Sequence, residues 1–344
     1  KNKKKVTTFT SPSIISPLDR IFIKNKFINL KNFKKLGNYL IKSKAKLTLF
    51  EALTLIYVLT INKLKDINYH LIEAGAGFDK DSTNLWDSPK IQAITNINKQ
   101  HLDLFRVKTI KDICKIKVGS LSKNTSIYIG KQDPKVLKII KKILKTNPSK
   151  KIYYGKDFKI IEDSKSYIFI DKKGKLKLKA NQIHSKGLWE GVALAVKIAR
   201  DLGVNNKIII KALPTIRMNG RIEYIKKGKL RKYLHKSETL IIDGAHSIKS
   251  ALNLKNHLSK ISKPFYGIFG IQNNRSPNLF IKQFKGIFKK IITVKIPDAP
   301  NSVNAEKLKK ICRKNNFYSE SSSNILEAIK KLSSKDKKTI VVFG

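Results

Sequence analysis

The chain has 344 residues, so it is long enough for two domains that each bury a hydrophobic core. Apolar residues make up 41%, which is enough to offset the entropy lost on folding, so the chain need not be disordered. Its 73 basic and 24 acidic residues give a formal net charge of +49. Only eight of the basic residues are Arg, and the Lys residues are spread along the whole chain. Nucleic-acid-binding surfaces concentrate basic residues on one face and read bases with Arg. We therefore expect no nucleic-acid partner and attribute the charge to an A/T-rich genome.

The sequence also argues against a membrane or secreted protein. Its longest apolar candidate, Leu47–Ile61, contains Glu51 and three Thr, which favours a buried or amphipathic helix over a membrane span. Lys1–Lys5 leads into a strand-like VTTFT and not into the apolar segment of a signal peptide. Cys114 and Cys312 lie far apart in helical patterns, which suits reduced thiols. We expect a cytoplasmic protein without membrane contact.

Strand-like and helical patterns alternate along the chain. The strand-like runs are Val6–Thr10, Tyr69–Ala74, Ile91–Thr95, Ser126–Ile129, Thr239–Ile242, Pro264–Phe269, Ile291–Val294 and Thr339–Phe343. The helical patterns are Thr48–Ile61, Thr109–Lys117, Pro134–Leu144, Leu188–Leu202, Ile248–Ile261, Asn278–Phe288, Ala305–Asn315 and Asn324–Leu332. This alternation predicts α/β domains with mostly parallel sheets. The segment YIFIDKKGKLKLK adds an antiparallel hairpin with a DKKGK turn.

A domain boundary is predicted where LPTIRMNG, at Leu213–Gly220, separates two α/β stretches by Pro and Gly. We place the domains at residues 1–216 and 217–344. The chain starts at Lys1 with no initiator Met and stops at Gly344 directly after a strand-like TIVVF, so we expect a fragment.

The segment HLIEAGAGFDKDSTNLW carries Glu73, Gly75 and Gly77 at the end of an apolar strand. Ligands of open α/β sheets lie beyond the carboxyl ends of strands, so this carboxylate and the permissive glycines suit a metal ion or a phosphate. An ordinary turn of Gly, Asp, Ser and Asn fits the same residues. His101 follows the next strand and, taken alone, fits a solvated loop residue. If Glu73 and His101 end neighbouring parallel strands, they converge and can complete a Mg²⁺ shell with water and phosphate oxygens.

Two further segments place polar groups at the ends of elements. Lys117 precedes Gly119 in CKIKVGSL, a combination that also fits a common helix C-terminus. TLIIDGAHSIKSAL places Asp243 and His246 between a strand and a helix that Ser247 is expected to cap. Because His is unusual in a tight turn of this kind, the pattern favours a site at the open end of a second sheet.

Eight segments share the order and spacing of one known pattern. They are TFTSPSIISPLDRIFI, TLFEALTL, EAGAG with DSTN, ITNINKQH, KIKVG, RMNGRIEYI, IIDGAHS and IPDAPNSVNAEKL. They resemble T-S-P-H…E-R-I, T-x-F-E-x-x-T, E-x-G-x-G-G-x-x-D-x-T-N, I-T-x-I-x-x-D-H, E-K-A-G, W-P-x-R-L-E, D-G-A-H-N and P-x-x-x-x-S-x-x-A-E-x-L of the folylpolyglutamate synthase/dihydrofolate synthase family, within the wider Mur ligase group. The eight together cover essentially the whole chain.

The resemblance implies a P-loop-type ATPase domain with a mostly parallel sheet and a smaller Rossmann-like C-terminal α/β domain. It implies ATP-dependent addition of L-glutamate to dihydropteroate or a reduced folate through an acyl phosphate, with ATP, Mg²⁺ and a monovalent cation such as K⁺. We expect a monomer that acts on small molecules. Two alternatives stay open: another Mur-type ligase acting on a peptidoglycan precursor, and a catalytically silent binding protein. The DSTN and RIE segments favour the folate branch.

The resemblance also assigns residues. It implies metal ligands at Thr10, Glu73, His101 and Lys117, the last as a carbamate in many relatives. It implies ATP contacts from Arg221, Asp243 and His246, and catalytic roles for Lys117 and His246. It implies substrate contacts from Ser11, Pro12, Asp81, Thr83 and Asn84.

The sequence departs from the family pattern in several places. It contains no G-T-N-G-K-G-S phosphate loop, which we expect in an upstream segment and without which ATP should not bind properly. Phe78-Asp79 replace the family's Gly-Arg, and Gln100 replaces the Asp before its His. The adenine-binding H-Q-x-x-N falls on Lys186–Glu190. Ser13 and Ser247 replace the family's His and Asn.

Overall fold

The computed structural model describes residues 4–99, 105–164 and 166–344. The chain packs into two compact units, Lys1–Ile152 and Tyr153–Gly344. Residues 153–216 therefore pack with the C-terminal sheet, and the predicted domain division after residue 216 stays a prediction. Every helix within the described ranges is too short or too polar to cross a bilayer.

The first unit begins with a four-stranded sheet of order β3-β2-β1-β4, in which β1 and β4 are parallel. Its strands are β1 (Val6–Phe9), β2 (Ile21–Ile23), β3 (Lys26–Phe27) and β4 (Tyr69–Ile72). Helices α1 (Leu30–Lys42) and α2 (Leu49–Ile61) pack on it. The predicted capping box of α2 is confirmed, because Thr48 accepts from the Glu51 N–H and Glu51 from the Thr48 N–H. Apolar side chains from these elements form one core: Phe9, Ile21, Leu40, Leu53, Ile56 and Tyr57.

A second sheet of the first unit has the order β5-β6-β7. It comprises β5 (Ile91–Ile94), β6 (Ser126–Ile129) and β7 (Lys150–Tyr153), with helices α3 (Ile110–Val118) and α4 (Pro134–Ile143). We expected β4 and β5 to be neighbours. In the described part of the chain, β4 pairs only with β1, and β5 pairs only with β6. The Lys90 side chain, just before β5, nevertheless reaches β4, since its Nζ lies 5.8 Å from the centre of the Tyr69 ring.

The second unit opens with an antiparallel sheet of order β10-β9-β8. It comprises β8 (Phe158–Asp163), β9 (Ser166–Asp171) and β10 (Gly174–Leu178), followed by helices α5 (Lys186–Asp201) and α6 (Asn206–Ala212). The predicted hairpin is confirmed: β9 and β10 pair in antiparallel register across a turn that ends at Gly174, which has a φ of 95°. This part of the unit also packs on the sheet that follows, since the His184 ring lies 5.0 Å from Tyr224 and 5.3 Å from His257.

A six-stranded sheet of order β11-β12-β16-β13-β14-β15 completes the unit, and only β11 is antiparallel. Its strands are β11 (Glu223–Tyr224), β12 (Thr239–Asp243), β13 (Phe265–Phe269), β14 (Phe288–Thr293), β15 (Ser319–Ser321) and β16 (Thr339–Phe343). The helices between them are α7 (Ile248–Leu258), α8 (Pro277–Lys282), α9 (Ala305–Lys314) and α10 (Ile325–Leu332). Successive side chains of a strand face opposite ways, so Ile241 and Leu240 enter separate cores on the two faces.

The predicted α/β class with mostly parallel sheets is confirmed. The predicted helix Asn278–Phe288 was wrong in its second half: α8 ends at Lys282, Gly286 adopts a φ of 76°, and Phe288 begins β14. The sequence patterns also missed several elements, among them the 13-residue helix α1. These are β2, β3, β7, β8, β11, β15, α1 and α6.

A buried cluster of charges joins the hairpin to α5. The Asp171 carboxylate is inaccessible to solvent and accepts from Arg200 Nη1 at 2.8 Å, with Lys197 Nζ at 3.5 Å. Lys197 also lies 2.9 Å from Asp201 Oδ1. Arg200 further donates to two backbone carbonyls of the hairpin turn, so one carboxylate fixes the turn against the helix.

Replacing Asp171 by Asn should destabilise the protein by about 3–5 kcal/mol, because two buried cations lose their shared counter-charge. The matched control is Glu162→Gln, whose carboxylate forms an exposed ion pair with Lys260 at 3.2 Å and should contribute less than about 1 kcal/mol. Urea unfolding followed by circular dichroism measures both. Equal losses in the two variants would contradict the importance of the buried cluster.

Candidate active site

The ends of two parallel strands bring Thr10 and Glu73 to one edge of the first sheet. Phe9 of β1 and Ile72 of β4 are opposite each other, and the Glu73 N–H donates to the Phe9 carbonyl at 2.9 Å. The Ser11 N–H donates to Glu73 Oε2 at 2.8 Å. Thr10 and Glu73 are both exposed, so this edge offers a hydroxyl and a carboxylate to solvent or to a ligand.

Asp81 organises the loop that follows β4. Its carboxylate accepts from the N–H of Gly75 at 2.9 Å and of Ala76 at 3.4 Å. It also accepts from the N–H of Thr83 at 3.0 Å and from the Thr83 hydroxyl at 2.6 Å. The Asn84 N–H donates to the Asp81 carbonyl at 2.9 Å. These bonds close the loop on itself.

The glycines of this loop allow it to pass close to two helices. A Cβ on Gly75 would lie 2.9 Å from the Phe50 ring of α2, and one on Gly77 would lie 2.8 Å from Ile116 of α3. The Phe78 N–H donates to the Ile116 carbonyl at 3.1 Å. Close packing is therefore sufficient reason for glycine at both positions.

Lys117, in the last turn of α3, reaches the same loop. Its Nζ donates to the Ala76 carbonyl. Burial lowers the pKa of Lys117, and the negative charge of Asp81 opposes this. The structure thus brings Lys117 to the loop after β4, while its roles in metal binding and catalysis stay predictions.

The predicted substrate contacts lie in two loops of the first unit. Ser11 and Pro12 follow β1, and the other three, Asp81, Thr83 and Asn84, follow β4. The hydrogen bonds of Asp81 with Thr83 show that these two side chains shape the loop. Contact with a substrate from any of the five stays a prediction.

The donor chemistry at the end of β1 and β4 fits Mg²⁺, which prefers oxygen ligands and keeps several waters. Within residues 4–99, 105–164 and 166–344, no three His, Cys, Asp or Glu side chains come together in a way that could hold a metal ion. His101 lies outside the described residues, so its place beside Glu73 stays a prediction.

In the second unit, Arg221 lies in a turn fixed to the end of β12. Its N–H donates to the Met218 carbonyl at 3.0 Å, and the Gly220 N–H donates to Glu223 Oε2 at 2.8 Å. The Gly244 N–H donates to the Gly220 carbonyl at 2.8 Å. Arg221 Nη1 in turn donates to the Gly244 carbonyl at 3.1 Å. The backbone therefore holds the guanidinium beside the loop that carries His246.

Asp243 joins this turn to the strand from inside the protein. Its Oδ2 accepts from the Ile222 N–H at 2.8 Å. Burial raises the pKa of Asp243 to about 6, and the N–H groups of Ile222 and Ala245 and the charge of Arg221 oppose the rise. Ile222 has a φ of 49°, a left-handed conformation that is rare for a β-branched residue.

His246 is held in one tautomer. Its Nδ1 lies 2.8 Å from the Gly244 carbonyl, and a carbonyl can only accept, so Nδ1 carries a proton. Burial lowers the pKa of His246, the Gly244 carbonyl opposes this, and the charges of Arg275 and Arg221 lower the pKa further. Nε2 of the neutral ring is then an acceptor, and it becomes a donor on protonation.

Arg275 was missed in the sequence, although it follows a predicted strand by six residues. The sequence did contain a signal for this site: a strand followed by Gly270 and a polar turn. The same pattern identified Asp243 and His246. The pattern alone does not reveal that this turn lies close enough to His246 to lower its pKa. Glu223, which orders the turn of Arg221, was also not singled out.

Solved structures share this fold over nearly the whole chain. E. coli FolC in complex with DHPP and ADP superposes with a TM-score of 0.85 at 17% identity, over 99% of this chain and 79% of that one. Mycobacterium tuberculosis folylpolyglutamate synthase, complexed with ADP and AMPPCP, gives 0.83 at 17% identity over 99% and 82%. A bifunctional folylpolyglutamate synthase/dihydrofolate synthase with Mn, AMPPNP and L-glutamate gives 0.82 at 18% identity over 98% and 79%. At these identities the likeness establishes the fold.

No curated protein matches the sequence. Residues 17–191, more than half of the chain, match the Mur ligase middle domain. This match agrees with the fold that the chain shares with the folylpolyglutamate synthase structures. The chain therefore belongs to the Mur ligase family.

Proposed function

We propose that the protein is an ATP-dependent ligase that joins L-glutamate to dihydropteroate or a reduced folate through an acyl phosphate. The observation that carries this proposal is that Arg221 and His246 both donate to the Gly244 carbonyl at the carboxyl edge of the six-stranded sheet, where a phosphate would meet positive charge and N–H donors. The neighbours of the same fold support it, since they were solved with ADP, nucleotide analogues, Mn or L-glutamate.

In the proposed reaction the pterin-linked carboxylate attacks the γ-phosphate of ATP, and ADP leaves. The amine of glutamate then attacks the acyl phosphate, an amide bond forms and phosphate leaves. The acyl phosphate hydrolyses readily, so it must be made and used at one site. The two reaction steps require groups that stabilise negative charge on the phosphate oxygens. They also require that the carboxylate of the pterin substrate is held in a fixed position.

The residues of the first unit suit the metal part of this chemistry. Thr10 and Glu73 would hold Mg²⁺, which when bound neutralises charge that develops on the phosphates. Asp81 would act by keeping the loop after β4 in shape. The lowered pKa of Lys117 favours its neutral amine, which is the form that carbamate formation requires.

The residues of the second unit suit phosphate binding. Arg221 donates one N–H to the Gly244 carbonyl, and its guanidinium has further N–H donors in the same plane. His246 offers Nε2, which donates to a phosphate oxygen once the ring is protonated. Asp243 is too buried to meet a ligand easily, and its two N–H bonds suit it to positioning.

The natural protein should release one phosphate for each glutamate joined to dihydropteroate or a reduced folate, and only with ATP and Mg²⁺. The measurement is phosphate release together with chromatography of the glutamylated product, and each acceptor is tested alone. Release with a peptidoglycan precursor and none with either pterin acceptor would assign the protein to a different branch of the family.

Arg221→Lys should lower turnover roughly 10- to 100-fold, because Lys keeps the charge but loses the planar fork that pairs with phosphate. The melting temperature should change little, since one hydrogen bond to Gly244 is lost. Arg217→Lys is the matched control, an exposed Arg four residues earlier in the chain. Comparable losses in the two variants would remove Arg221 from the site.

The pH dependence of unfolding should reveal the Asp243 carboxyl. Its pKa is raised from 3.8 to about 6, so the folded protein holds this proton longer than the unfolded chain. The carboxyl therefore lowers the free energy of unfolding as the pH rises through this window, by roughly 2–3 kcal/mol. Asp243→Asn should remove this contribution. Buried His residues such as His257, whose pKa is lowered to about 4, act in the opposite direction over the same window, so the test compares the variant with wild type.

The readout is the free energy of unfolding at pH 4.5 and 7 for wild type and variant. The Asn side chain has one acceptor oxygen where the Asp243 carboxyl has two. The stability lost with the second oxygen is the same at both pH values, so it cancels when the two pH values are compared. Asp336→Asn, which changes an exposed carboxyl of the same unit, should leave the wild-type pH difference nearly intact. If the change in the free energy of unfolding between pH 4.5 and 7 is the same in Asp243→Asn as in wild type, the Asp243 carboxyl does not contribute to it.

A further inference from the structure

The carboxyl ends of β12 and β13 are level with each other on the six-stranded sheet. Strand β16 lies between them, and its Phe343 is opposite Asp243 on one side and Phe269 on the other. The loop that carries His246 follows β12, and the turn that carries Arg275 follows β13. Both therefore emerge at the same edge, which is where open α/β sheets bind ligands.

The backbone around Arg275 is fixed. The Asn273 N–H donates to the Asn301 carbonyl at 2.8 Å, and the Arg275 N–H donates to the Gln272 carbonyl at 3.1 Å. Pro277 and Phe280, which follow in α8, are buried. The half-buried Arg275 side chain thus extends from a rigid turn, so little entropy would be lost when it binds a ligand.

In the described part of the chain neither Arg221 nor Arg275 forms an ion pair with a carboxylate, although the charge of Arg221 acts on the buried Asp243 carboxyl. No described carboxylate lies within ion-pair distance, 4.0 Å, of either guanidinium, whereas Arg200 is paired with Asp171. Both positive charges act on the His246 ring, so three groups that are cationic or can become cationic share one small region. Like charges held together repel, and a bound anion would relieve that repulsion.

The use of Arg at these positions is itself informative, because this chain supplies positive charge almost entirely with Lys. Only eight of its 73 basic residues are Arg. Several of them use the fork within the fold: Arg231 and Arg313 donate to backbone carbonyls, and Arg200 binds a carboxylate and two carbonyls. Arg275 makes no such bond in the described structure. A planar fork without a protein partner suits an oxyanion ligand.

We infer that Arg275 is a further anion-binding residue, which together with Arg221 and His246 holds a phosphate group of the nucleotide. The inference rests on the proposed function and extends it to a residue outside the motifs that resemble the family. A carboxylate of the amino-acid substrate is also an oxyanion and could bind the same three side chains. We favour phosphate because its oxygens can engage two guanidinium groups and a protonated imidazole at once.

The test uses the His246 ring of the full chain as a reporter, observed by ¹H–¹³C NMR and identified with His246→Gln. Inorganic phosphate, ADP and L-glutamate are titrated separately at constant chloride concentration. Arg275→Gln is compared with Arg217→Gln, which removes the same charge from an exposed Arg of the same unit. The other His signals report whether each variant is folded.

We expect phosphate and ADP to raise the His246 pKa in wild type, because a nearby anion stabilises the imidazolium. In Arg275→Gln the ligand-free pKa should rise as well, and the affinity for both ligands should fall about tenfold, which is the loss of one charge-assisted contact. Arg217→Gln should change the affinity less than about twofold. This pattern would establish Arg275 as a phosphate contact.

Three other outcomes would overturn the inference. If phosphate and ADP bind Arg275→Gln as they bind wild type, Arg275 is not a contact, and the proposed function stands. If L-glutamate alone loses affinity in that variant, the residue binds a carboxylate. If neither phosphate nor ADP moves the His246 signal in wild type, both the inference and the proposed nucleotide role of this unit fall.

Discussion

Parallel strand pairing in fixed register is the constraint on which the candidate site depends. Because Phe9 is opposite Ile72, the residues that follow, Thr10 and Glu73, emerge at the same edge. In the second unit Phe343 is level with both Asp243 and Phe269, so the loops after β12 and β13 leave the sheet side by side. Residues far apart in the chain thereby become neighbours.

Carboxylates that accept several hydrogen bonds then give loops and turns of the protein defined shapes. Asp81 accepts from the loop after β4, and Asp171 ties a hairpin to a helix. Asp243 accepts from the turn that carries Arg221. The chain has 24 acidic and 73 basic residues, and among the described residues the buried acidic ones are Asp171, Glu238 and Asp243. Acidic residues act in this protein as anchors for N–H groups and cations.

The sequence predicted the strand ends well, because an apolar run that changes to Gly, Asp or His marks the end of a strand within a few residues of the chain. Thr10, Glu73, Asp243 and His246 all lie at such ends in the structure. The internal bonds of Asp81 could not be predicted, since they depend on how the loop folds back. The short strands β2, β3 and β15 were missed because two or three residues show no periodicity. Arg275 was missed because the place of β16 in the sheet is set by long-range pairing.

The conformation of Ile222 has a consequence for the rigidity of the site. A β-branched residue in the left-handed region carries a strain of about 1–3 kcal/mol, and the buried side chain of Ile222 packs in the same core as Ile241 and Ala245. The core thus holds the backbone against its own preference directly beside Arg221. Releasing the backbone of that turn would require the core to loosen, which is a local unfolding event. The entropy of ordering Arg221 is consequently lost during folding, and a ligand meets a group that is already in place.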